Sequence, residues 1–134
     1  MKVNIFNRIK CAFGEKSLLG QSSGTEKKII EIVDDEIARS AEFGLKISKK
    51  HQSKEKQVIL LAVRELKRIK ELCNGLTFGA LFQLFFGVVS VALENEARYY
   101  FEKLKKEGRV ANMYQCHLSS VVGHILNAIY NREL

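Results

Sequence analysis

The sequence predicts an all-α protein, a compact antiparallel four-helix bundle-like domain with a short amphipathic helix ahead of it. Three observations carry this. Apolar residues recur at three- and four-residue spacing through most of the chain, no segment alternates apolar and polar residues between turn residues, and the 134 residues include no proline. No internal repeat is visible, and one domain is expected over residues 25–134, preceded by an arm and loop over 1–24.

In the arm, Val3, Ile5, Phe6, Ile9, Ala12 and Phe13 fall mostly on one side of a short helix, away from Asn7, Arg8 and Lys10. Those three polar residues also interrupt the apolar run that a secretory signal needs. The following GEKSLLGQSSG reads as a connector, rich in glycine and serine. Thr25 then offers an N-cap, and Ile29, Ile30, Val33, Ile37, Ala41 and Leu45 form the stripe of a long helix. Asp35 stands four residues before Arg39 and Glu42 four before Lys46, and Lys49, Lys50 and His51 suit the negative end of that helix. Ser53 is the next candidate cap. Ile59, Ala62, Leu66, Ile69 and Cys73 make the second stripe, which Asn74–Gly75 should terminate.

Residues 76–93, LTFGALFQLFFGVVSVAL, carry no charge and only Thr77, Gln83 and Ser90 as polar side chains. A bilayer span needs about 20 apolar residues. This run lacks tryptophan and clear interfacial anchors, and three amphipathic helices need a surface to bury their stripes. A central bundle helix is therefore expected, running from Thr77 toward Glu107 with a bend near Gly87 and a stop at Gly108. Its phenylalanines Phe78, Phe82 and Phe85 are candidates for an apolar interface should the bundle leave them uncovered. A fourth helix is expected over 110–130, with His117, Leu118, Val121, Ile125 and Ile129 inward.

The net charge of +7 is concentrated in residues 1–28 and 51–75. Lys56, Arg64, Lys67, Arg68 and Lys70, with Lys54, form the candidate binding patch. Nucleic acid is not expected there, because no aromatic residues interleave with the cations. An acidic protein partner or self-association remains by elimination. Cys11, Cys73 and Cys116 lie far apart and form no CxxC pair, so a reducing cytoplasm is expected.

No segment matches a catalytic or metal motif. There is no HExxH or ExxH, and His117 and His124 lie two helical turns apart, about 10 Å, too far to share one metal ion. Glu31, Asp35 and Glu94 could approach as a carboxylate cluster, and Ser120 or Cys116 could meet a histidine, but no nucleophile turn surrounds either. Gly20–Lys27 lacks the ending of a phosphate loop. No catalytic residue, metal or cofactor is therefore assigned. The expected function is non-catalytic protein binding, as an inhibitor or an immunity protein that neutralises a toxin or another acidic partner. The alternative is membrane association through Ile5, Phe6, Arg8, Ile9 and Phe13 or through 76–93, and a small helical enzyme ranks third.

Overall fold

The structure, a computed structural model, describes residues 24–72 and 75–131, excepting the side chains of residues 69–72. Five helices and no strand occur among them: α1 Gly24–Glu42, α2 Lys49–Leu72, α3 Phe78–Ala92, α4 Glu94–Lys106 and α5 Met113–Tyr130. The all-α bundle expected from the apolar periodicity is present. The arm residues Ile5, Phe6, Arg8, Ile9 and Phe13 lie outside the described residues.

The central helix is α5, not the segment 76–93. It packs on α1, α3 and α4, and buries Tyr114, His117, Leu118, Val121, Val122, Ile125, Leu126 and Ala128. The α3 helix lies against α5, α2 and, at their junction, α4, and buries Leu81, Phe85, Val88 and Val89. Val91 stays exposed on its outer side, and Phe78, its first residue, is exposed at its end. No single helix among the described residues is long and apolar enough to cross a membrane.

Two corrections concern where helices stop. The helix expected to run unbroken past Leu93 bends by 76° between α3 and α4, and it does so at Leu93, whereas Gly87 stays inside α3. Straight continuation would carry the chain about 45 Å, well beyond the roughly 27 Å of α5. The bend keeps Leu93 in the core and folds Glu96, Tyr100 and Leu104 back onto it. Glu94 and Glu96 then fall in the first turn of α4, where negative charge meets the positive helix end.

The first helix ends at Glu42, short of Lys49–His51, which instead open α2. Gly44 takes φ 97° and donates to Ala41 O at 3.0 Å, while Leu45 N–H donates to Ser40 O at 2.9 Å, a left-handed terminus suited to glycine. Leu45 and Ile47 anchor the loop by entering the core. Ser48, not Ser53, serves the start of α2, its hydroxyl accepting from His51 N–H at 3.3 Å. Lys46 consequently sits off the helix and cannot pair with Glu42 across a turn, and Arg39 approaches Glu36 at 3.7 Å rather than Asp35. Gly108, at φ 69°, ends α4 as expected, and Gly75, at φ 103°, follows α2.

The Arg109 guanidinium clamps the turn after α1. Its Nη1 donates to Gly44 O at 2.7 Å and its Nη2 to Phe43 O at 3.1 Å. A Cβ at Gly44 would overlap that guanidinium as well as strain the backbone. Gly44→Ala should therefore cost about 1–3 kcal/mol in urea unfolding, since both the φ strain and the lost clamp contribute. A loss under about 0.5 kcal/mol would mean that the turn is not held in this way.

Candidate functional site

Three carboxylates, Glu36, Glu55 and Glu96, are drawn into the interior, each beside partners from another helix. The deepest is Glu55 of α2. His117 of α5 brings Nε2 to 2.5 Å from Glu55 Oε1, and the Tyr114 hydroxyl donates to Oε2 across 3.4 Å. A proton must lie in the histidine–carboxylate contact, because two bare lone pairs at that distance would repel. The other ring nitrogen, Nδ1, meets Ser40 Oγ of α1 at 2.8 Å. A hydroxyl can donate or accept, so both nitrogens are satisfied in either protonation state. Burial pushes the Tyr114 phenol far above its ordinary 10.0, and the negative charge of Glu55 and Glu96 adds to this, so the hydroxyl is held neutral.

Nearer the surface, Glu36 of α1 accepts from Ser120 Oγ at 2.9 Å, and His124 Nε2 approaches its other oxygen at 2.9 Å. The carboxylate thus stands between serine and histidine. A nucleophile relay needs the histidine between the other two, so the Ser120–His124 arrangement does not assemble one. Glu31 and Asp35 are exposed and take no part. Groups of three or more histidine, cysteine or acidic side chains fit to hold a metal ion are not found among the described residues.

Beside Glu36 and Ser120 lies a cavity of about 280 Å³ between α1 and α5, walled chiefly by Phe43, Leu45, Met113 and Cys116. Arg39 stands at its rim, largely exposed. The Cys116 thiol is free and exposed. Phe43, on the clamped turn, is 69% exposed, the most open large apolar side chain among the described residues.

The expected basic patch is partly spent within the chain. Lys56 pairs with Asp34 at 2.6 Å, Arg64 with Glu26 at 2.7 Å and Lys54 with Glu96 at 2.7 Å. Lys67 is half-buried and Arg68 exposed, and the side chain of Lys70 lies outside the described residues. A second group of cations lies on another surface. Lys46, Lys49, Lys50, Lys103 and Lys106 are exposed and make no ion pair among the described residues.

Tyr100 holds this second surface together. Its hydroxyl accepts from Ser48 N–H at 2.9 Å and meets His51 Nδ1 at 2.8 Å, tying the start of α2 to α4. Tyr99, 53% exposed, packs edge-on against His51 at 5.4 Å. Lys103 and Lys106 follow Tyr99 along one side of α4, sharing a shallow cleft with it and with Glu102. Lys46, Lys103 and Arg109 line the adjoining cleft, together with Glu107. An aromatic side chain does stand among the cations on this surface: Lys103 and Lys106 follow Tyr99 at helical spacing, and folding brings the segment of Lys49 and Lys50 beside it.

The phenylalanines of α3 divide. Phe78 is 38% exposed and leans on Tyr130, their ring centres 5.3 Å apart. Phe82 is half-buried and stacks on Phe86. Phe85 is 1% exposed, so it belongs to the core and cannot contribute to an apolar interface. Comparison with protein-family models, curated proteins and solved structures finds no match for this chain.

Proposed function

We propose that this protein acts by non-covalent binding, as a helical module that engages an acidic protein, in the manner of an inhibitor or an immunity protein neutralising a toxin. The observation that carries this reading is the lysine surface around Tyr99. Lys46, Lys49, Lys50, Lys103 and Lys106 have no acidic partner among the described residues, and the polar anchors of Tyr100 join α4 to the start of α2, beside the loop that carries Lys46. A surface of one sign speeds encounter with a partner of the other, and tyrosine is a frequent anchor at protein interfaces. The internal pairing of Lys56 and Arg64 moves the expected contact away from the residues that charge counting alone selects.

Crosslinking the full chain in an extract of its host, followed by mass spectrometry, supplies the partner. Combined Lys49→Glu, Lys50→Glu and Lys103→Glu should then slow association by roughly 10- to 1,000-fold at low salt. Combined Lys56→Gln and Arg64→Gln should change it little. Equal effects from the two sets, or none from the first, would remove the lysine surface from the interface.

A further inference from the structure

We infer that the cavity between α1 and α5 is an anchor site that receives one apolar side chain from an acidic segment of the partner, with Phe43 packing beside it. This inference rests on the binding reading above and adds where the partner inserts and what it inserts.

The construction of the rim comes first. Phe43, 69% exposed, sits on a turn fixed by Gly44 at φ 97° and by two hydrogen bonds from Arg109. That rigidity lowers the entropy lost on binding. The cavity beside Phe43 is walled by Leu45, Met113 and Cys116, and holds about 280 Å³. A dry apolar cavity of roughly 150 Å³ accepts benzene, so this one has room for an aromatic or large aliphatic side chain. Glu36 does not stand unpaired in the wall, since Ser120 and His124 occupy its oxygens. An entering apolar group would strand no charge there.

Charge selects the occupant. Arg39, 3.7 Å from Glu36, stands on one side of the opening, and across the same turn Arg109, Lys46 and Lys103 outnumber Glu107 in the cleft that begins at Leu45. A segment with carboxylates flanking one apolar residue would set that residue in the cavity and its charges on this rim. A second copy of the chain could offer Phe43 to the same hole, but two molecules of net charge +7 repel one another.

The test uses two short blocked peptides, one of glutamates around a single phenylalanine and one with alanine in its place, each titrated at low salt up to millimolar concentration into the full chain. The phenylalanine peptide should bind at least about tenfold more tightly, the difference expected for burying that side chain, and should shift the Met113 methyl resonance. Cys116→Trp, which fills the opening from an exposed position, should abolish the difference and leave the alanine peptide's affinity unchanged. Equal binding of both peptides with Met113 unmoved would overturn the anchor site while leaving the lysine surface standing. Binding of neither would overturn both. A dimer in sedimentation that Phe43→Ala dissolves would instead make a second copy the occupant and overturn the acidic segment.

Discussion

Glu55→Ala is expected to lower the free energy of unfolding by about 3–5 kcal/mol, the range seen when one partner of a buried polar or charged pair is removed. Glu55 is wholly buried and is met by the side chains of His117 and Tyr114. Truncation would leave the His117 ring nitrogen and the Tyr114 hydroxyl without that partner, in a space too enclosed for them to turn toward bulk water. It would also open a void the size of a carboxyethyl group less its first carbon. Against a total stability of about 5–15 kcal/mol, this is a large fraction, and the melting temperature should fall by roughly 10 °C or more. Glu55→Gln keeps the volume and one acceptor oxygen for His117, and turns the other into an N–H donor that the Tyr114 hydroxyl can accept, so it should cost only about 1–2 kcal/mol. Urea unfolding of the three proteins distinguishes the contributions. Equal losses from alanine and glutamine would assign the effect to the carboxylate's charge and second acceptor, and an alanine loss below about 1 kcal/mol would place Glu55 outside the folded core.

The position of Glu55 was legible in the sequence, though its partner was not. It stands four residues before Ile59, in line with Ile59, Ala62 and Leu66, so a carboxylate sits on the apolar stripe of its helix. Glu36 follows Ile29 and Val33 in the same way, and Glu96 lies between Leu93 and Tyr100 at helical spacing. A carboxylate in stripe register calls for a buried partner, because burial without one is costly. Periodicity identifies such a position, but the partner is set by how helices pack, and His117 lies 62 residues from Glu55. The pairing of Lys56 and Arg64 within the basic patch is hidden from the sequence for the same reason. Asp34 and Glu26 reach Lys56 and Arg64 only because α1 and α2 run antiparallel.

Helices were easier to read than their ends. The stripes of α1, α2 and α5 follow from local spacing. At Gly44 the apolar pattern runs on through Leu45 and Ile47, so a true terminus looks like a continuing helix. At Leu93 no glycine, proline or polar cap marks the break, which follows from the length of the bundle that α4 must fold back upon. That requirement is tertiary, and no window of sequence contains it.

Phe85→Ala is expected to cost about 3–5 kcal/mol, whereas Phe78→Ala, at an exposed position, should stay below about 1 kcal/mol. The two residues share one uncharged segment seven positions apart, and hydropathy treats them alike. Seven residues are two helical turns, so both point to the same side of α3, and their difference follows from position along it. Phe78 is the first residue of α3 and leans on Tyr130, the last residue of α5, whereas Phe85 lies mid-helix and is buried with Leu81, Val88 and Val89. Phe82, half-buried and stacked on Phe86, should fall between the other two. Unfolding of the three alanine variants therefore measures how far the core extends toward the start of α3. Losses of similar size at Phe78, Phe82 and Phe85 would carry the enclosed core to that end, while a steep gradient toward Phe85 fits an open edge at Phe78.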